Sequence, residues 1–188
     1  MLFALLFSGE ISAQHNSSGI YKCPQDYNNR ITYSPCDSGA GEMKINFHHF
    51  ISGKYIDISC NGKKERFCKD SIYGYRDAHQ QDFRFYKSYD KEYQILENRS
   101  IVIYQSYVLK TSSSGKTQEV IPAYYFSTTL TGDLLPLTVL NLKKAFPDNM
   151  KFHDMLDVTF GDGASLLSFD KTHNMYLVNY LLSICTPS

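Results

Sequence analysis

Between Tyr55 and Thr128 short apolar segments, several alternating with a period of two, are separated by polar turns, and after Leu135-Pro136 apolar side chains recur at intervals of three and four. Side chains alternate faces along a strand and return to one face about every 3.6 residues along a helix. This change of period divides the chain into a β-rich stretch, 19–130, and a helical stretch, 137–185. Strands first and helices afterwards specify an α+β domain with its helices on one side or end of the sheet. The chain has 188 residues, 43% of them hydrophobic, enough for one core. No linker separates the halves, so 14–188 reads as a single domain.

Within the first stretch, Tyr55 to Cys60 and Lys63 to Lys69 flank Asn61-Gly62, the signature of a two-residue hairpin turn. That register sets Asp57 opposite Arg66, Cys60 opposite Lys63 and Cys68 opposite Tyr55. Cys60 and Cys68 are then too far apart to be bridged. A second hairpin is expected from Ser71–Arg76 and Phe83–Tyr86, in which Phe83 and Phe85 alternate with Arg84 and Tyr86. Strands over Glu92–Leu96, Ile101–Leu109 and Glu119–Thr128 complete an antiparallel meander, open or closed into a barrel. Ile101–Leu109 is apolar on both faces, which places it centrally.

Two or three C-terminal helices follow. Thr138 is suited to cap Val139–Phe146, which Pro147 ends, and Asn149 to cap a helix with Phe152, Met155 and Leu156 on one face. Asp170 is the expected cap of a last helix over Lys171–Ile184.

Lys plus Arg and Asp plus Glu each number 19, so the chain lacks the basic excess that a nucleic-acid partner requires. No apolar run approaches the roughly 18 residues of a transmembrane helix. Residues 1–13 read as a signal-peptide remnant: an apolar run, Met1 to Phe7, then small residues before a cleavage point near Ala13, although no basic segment precedes them. The chain is accordingly expected to be exported, to the periplasm, the cell surface or the medium. Cys23 and Cys36, across a loop holding Pro24, Asn28, Asn29 and Pro35, are the expected disulfide among five cysteines.

Several motifs fail on their physical requirements. Gly115-Lys116-Thr117 resembles the end of a phosphate loop, but Lys110 stands where its first Gly belongs, and a strand follows instead of a helix. Gly163-Ala-Ser-Leu-Leu167 lacks the second Gly of a nucleophile elbow. His153 and Asp157, spaced i and i+4, could join His173 in a metal site with one open position, although no HExxH pattern accompanies them. Aromatic content is unusual, with 15 Tyr, 12 Phe and no Trp. Tyr73, Tyr75, Tyr86 and Tyr124 with Arg76 and Arg84 could form a binding surface if they point outward, since Tyr and Arg are enriched among interface anchors.

The runs Lys69-Asp-Ser-Ile-Tyr-Gly-Tyr-Arg-Asp77, Asp82-Phe-Arg-Phe-Tyr86 and Pro136-Leu-Thr-Val-Leu-Asn-Leu-Lys-Lys-Ala-Phe-Pro-Asp-Asn149, with Tyr176-Leu-Val-Asn-Tyr-Leu-Leu182, resemble a group of uncharacterised exported proteins from Bacteroidota. The resemblance implies origin and export and carries no catalytic residue. The leading expectation is an exported, non-catalytic envelope or secreted module that binds a protein or glycan partner through its sheet or loops and needs no cofactor. A metal-assisted hydrolase built on His153, Asp157 and His173, and a carrier with a β-barrel cavity, are the alternatives.

Overall fold

The computed structural model describes residues 18–36, 43–46, 53–111, 115, 117–161 and 163–186. The segment 1–13 expected to be a signal-peptide remnant lies outside them.

The hairpin of β3 (Tyr55–Cys60) and β4 (Lys63–Cys68) has the register expected from its turn, with Asp57 opposite Arg66 and Cys60 opposite Lys63. Asn61 and Gly62 both take positive φ, 49° and 80°, the backbone that lets a two-residue turn follow the strand twist. Arg66 clamps buried Asp57 through Nε and Nη2 at 2.7 and 3.0 Å. With β2 (Lys44–Asn46), these strands form a small three-stranded sheet.

The larger sheet has seven strands. β1 (Gly19–Tyr21) lies at one edge beside β5 (Gly74–Arg76), followed by β6 (Asp82–Tyr86), β7 (Ser88–Asn98), β8 (Val102–Thr111), β9 (Gln118–Ser127) and β10 (Leu135–Pro136). Every pairing is antiparallel, and the sheet is open rather than closed into a barrel. β8 and β9 pair as far as Thr111 and Gln118, so a strand and not a helix follows Gly115 and Thr117.

Two layers cover one face of this sheet side by side. Ile20, Tyr75 and Phe85 pack there against Ile56 and Ile58 of the small sheet. Farther across, Ile103 and Phe126 join Ile101 in packing against three helices. These are α2 (Val139–Ala145), α3 (Met150–Phe160) and α4 (Leu177–Cys185), which supply Leu142, Phe152, Leu156, Val178 and Leu182 to that core. Each such side chain contributes roughly 1.5–3 kcal/mol by leaving water. Thr138 and Asn149 cap α2 and α3 as their positions predict.

A polar link ties α4 to the sheet. Asn179, fully buried, accepts the Ile101 N–H at 2.9 Å and donates to Glu97 Oε2 at 2.5 Å and to the Ile101 carbonyl at 3.2 Å. A β-bulge at Ile95–Glu97 brings Glu97 opposite Ile103 on the helix side.

Three expectations are corrected. The disulfide joins Cys36 to Cys60, with Cα atoms 5.3 Å apart, and Cys23 is free. Ile20 and Tyr33 form an antiparallel bridge, so Cys23 and Cys36 lead away from it in opposite directions. Six residues of extended chain at about 3.3 Å each would separate them by roughly 20 Å. Cys23 instead starts a short helix, α1 (Pro24–Asn28), where Asp26 Oδ2 accepts the N–H groups of Lys22 and Cys23.

Asp170 does not begin a helix. β11 (Phe169–Asp170) and β12 (Met175–Tyr176) form a small hairpin, and Asp170 accepts the Thr172 and His173 N–H groups within its turn. Asn174 closes that turn at φ 52°, a left-handed conformation that a helix cannot include, so α4 begins at Leu177.

The far half of β8 is not covered. Among the described residues, β7 pairs with β8 as far as Gln94–Gln105, whereas β8 and β9 pair on to Thr111 and Gln118. Tyr107, Leu109 and Val120 are 59%, 67% and 62% exposed there.

Candidate functional site

The second face of the large sheet carries the tyrosines. Tyr21, Tyr73, Tyr93 and Tyr104 are buried together with Ile95 and Val102, and Tyr27, Tyr86, Tyr125, Leu130 and Leu134 pack against them. The Tyr27 ring meets Tyr21 edge-on at 5.5 Å. Burial, first of all, raises the phenols of Tyr21, Tyr27 and Tyr73 well above the usual tyrosine range. For Tyr21, the bond that its hydroxyl donates to Asp82 adds to this.

Arg84 runs into the middle of this face. Its guanidinium lies 5.0–5.7 Å from the rings of Tyr73, Tyr86 and Tyr104, and donates to the Tyr104 hydroxyl and the Gly132 carbonyl. A desolvated cation over several rings gains about 2 kcal/mol or more from the ring quadrupoles. Next to Gly132, Asp133 accepts from Tyr86 and Lys87, fastening the 129–134 loop over the sheet.

The proposed six-residue surface is therefore divided. Tyr73, Arg76, Arg84 and Tyr86 share the tyrosine face, but the first three are buried and form packing rather than an open surface. Tyr75 lies on the opposite face, stacked on Phe83 at 4.7 Å with its hydroxyl donated to Glu92. Burial and then Glu92 push its phenol upward. Tyr73 and Tyr75 separate because alternation fails at Gly74, which passes so close to β6 that a Cβ would stand 1.9 Å from the Phe83 carbonyl oxygen. Tyr124 pairs with Gln105 on the helix-covered side.

The metal trio is not assembled. His153 Nε2 meets the Lys143 and Phe146 carbonyls at 3.1 and 2.9 Å, tying α3 to the end of α2. Asp157 receives the Lys143 ammonium at 2.6 Å. His173 pairs with Asp170 at 2.7 Å and stacks on Tyr180. Among the described residues no group of three or more His, Cys, Asp or Glu side chains is placed to hold a metal. The i, i+4 spacing was real, but the turn at Asn174 removes His173 from the helix on which convergence depended.

A cleft that was not anticipated lies beside the tyrosine face. It has a volume of about 380 Å3, within the range of small-ligand sites, and opens between α1 and the end of β7. The Arg76–Asp82 pair lines it: Arg76 is 4% exposed, and its Nε and Nη2 donate to Asp82 Oδ1 and Oδ2 at 2.7 and 2.8 Å. Asp82 accordingly raises the Arg76 pKa. Tyr27, Asn28 and Arg30 stand on one side, and Ile95 to Asn98 on the other. The side chains of Asn28, Arg30 and Asn98 are exposed and make no hydrogen bond or ion pair among the described residues. A second concavity of about 630 Å3, around the α2–α3 turn and Cys185, contains no such buried ion pair.

Pro24 at the first helical position and Asp26 two residues on are the signal that could have revealed α1. Without α1, nothing in the pattern links Arg30 to Asp82 and Asn98. No protein-family model, curated protein or solved structure matches the chain.

Proposed function

We propose that the chain is an exported, non-catalytic module that binds a protein or glycan partner through the cleft between α1 and the end of β7. The carrying observation is that Asn28, Arg30 and Asn98, whose side chains have no hydrogen bond or ion pair among the described residues, line one cleft with the ion pair of buried Arg76 and partly buried Asp82. Fixed polar groups within a concavity orient a ligand without first having to be ordered themselves. The Cys36–Cys60 disulfide supports export, because such bonds persist in oxidising compartments. The sequence resemblance supports an origin among exported Bacteroidota proteins. His153, Asp157 and His173 each serve a local structural contact, which supports a binding rather than a hydrolytic role.

Site-specific photo-crosslinking in a Bacteroidota host tests this reading. A photoreactive residue at position 98 should capture a partner in the envelope or medium fraction, whereas one at Val158, 84% exposed on α3, should not. Equal capture at both positions, or retention of the protein in the cytosol, would count against the proposal.

A further inference from the structure

The cleft combines two kinds of recognition chemistry. Asn28 and Asn98 offer amides that both donate and accept. Asp82 Oδ1 already accepts from Tyr21 and Arg76, but Oδ2 accepts a single bond from Arg76 and retains a lone pair. Such groups, mixed in polarity, match hydroxyls, which donate and accept in turn. The Arg76 and Asp82 charges offset one another within their pair.

Arg30 is different. It lies at φ 56°, just beyond α1, and its N–H closes the helix end on the Tyr27 carbonyl. Glycine is the residue most at ease in that left-handed position. An arginine stands there instead, lining the cleft with Tyr27, whose phenol pKa its charge lowers against the larger effects of burial and Asp82. Among the described residues the Arg30 guanidinium has no ion-pair partner, and its planar fork favours a carboxylate that can meet it through two parallel bonds.

We infer that the cleft takes an oligosaccharide bearing a carboxylate, with sugar hydroxyls on Asn28, Asn98 and Asp82 and the carboxylate on Arg30. This inference rests on the binding-module reading and names its ligand class. A neutral sugar would leave Arg30 unused, and a phosphate would bring its greater charge close to Asp82.

The test is calorimetric titration of the processed protein with trigalacturonate, a hyaluronan tetrasaccharide and their carboxyl-reduced counterparts, with inorganic phosphate as a further probe. At least one acidic sugar should bind, at least tenfold more tightly than its reduced form, and should weaken with added salt. Arg30→Gly should fold with an unchanged or higher thermal midpoint and bind the two forms equally. Asn98→Ala should weaken both forms. Equal binding of acidic and reduced sugars by the unaltered protein overturns the carboxylate assignment, as does preference for phosphate. Absence of binding to every sugar overturns the inference altogether. The crosslinking at position 98 is read independently, so a protein partner captured there would end the sugar assignment while leaving the binding module intact.

Discussion

Asn179→Leu is the substitution that most directly tests how the helical layer is held to the sheet. Leucine matches asparagine closely enough in size to fill the site, but it cannot replace the three hydrogen bonds at 2.5–3.2 Å. The Ile101 carbonyl would keep the Arg99 N–H at 3.2 Å, and Glu97 would keep the Tyr176 N–H at 3.1 Å. The Ile101 N–H would have no replacement, an orphaned donor costing about 1–3 kcal/mol. Loss of the bond to the Glu97 carboxylate adds about 1.5–3 kcal/mol. The two losses share a site and are not strictly additive, so the expected total is about 3–4 kcal/mol. With a urea slope of about 2 kcal/mol/M, the unfolding midpoint should fall by roughly 1.5–2 M. Ser183→Ala, exposed on the same helix, should stay within about 0.5 kcal/mol. Asn179→Asp adds a pH signature. Burial and the neighbouring Glu97 would raise the new carboxyl's folded pKa above its unfolded value of about 3.9, so its protonated form is favoured in the fold. The variant's deficit relative to the unaltered protein should therefore grow as pH rises from 4 to 7. A loss below about 1 kcal/mol in Asn179→Leu, with the slope unchanged, would refute the claim that this link anchors the layer.

Three other outcomes are expected. Among the described residues the buried Tyr73 hydroxyl has no hydrogen bond of good geometry, its neighbour the Tyr104 hydroxyl being bonded to Arg84 and Ser127, so Tyr73→Phe should stabilise by about 0.5–1 kcal/mol, and a clear loss in chemical denaturation would show that Tyr73 and Tyr104 are bonded. Removing the Cys36–Cys60 bond, which closes a separation of 24 residues, should cost about 3 kcal/mol by thermal or urea unfolding, whereas Cys23→Ser should leave the disulfide intact in a thiol count. The phenols of Tyr21, Tyr27, Tyr73 and Tyr75 have folded pKa values raised above the unfolded value of about 10, so their contribution is complete below pH 10 and is lost as pH rises through the folded values. Absorbance at about 295 nm should then show these rings ionising together with the loss of circular dichroism; all 15 tyrosines titrating near pH 10 in an intact fold would contradict their burial.

The sequence was most readable where local chemistry alone sets geometry. Asn61-Gly62 determined a turn, the turn determined the β3–β4 register, and the register separated Cys60 from Cys68. Thr138 and Asn149 marked helix starts for the same reason, each supplying the oxygen that a helical N–H lacks. Features that depend on distant pairing were not readable. Cys36 reaches Cys60 only because Tyr33 bridges Ile20 beside the small sheet. Alternation put Tyr73 and Tyr75 on one face, and the close approach at Gly74 undid it. The cleft is the extreme case: Arg30, Asp82 and Asn98 carry no mutual spacing and come to line it only after β1 has joined β5, β5 has joined β6 and β6 has joined β7.

That placement of β1 sets an order of events at birth. A growing chain emerges from its N-terminus, and Ile20 can bridge Tyr33 early, yet β1 as a whole has no ladder partner until Gly74–Arg76 appears. By then β3 and β4, neighbours in sequence, have already been released and can pair across their two-residue turn. Local pairing is quick because it closes a short loop, while the first strand must hold its place as an open ribbon until its distant neighbour arrives. β1 is thus seated later than the β3–β4 hairpin that follows it in sequence, and α1, one wall of the cleft, is fixed against the sheet with it. Whatever binds there has nowhere to dock until synthesis has passed well beyond the residues it touches first.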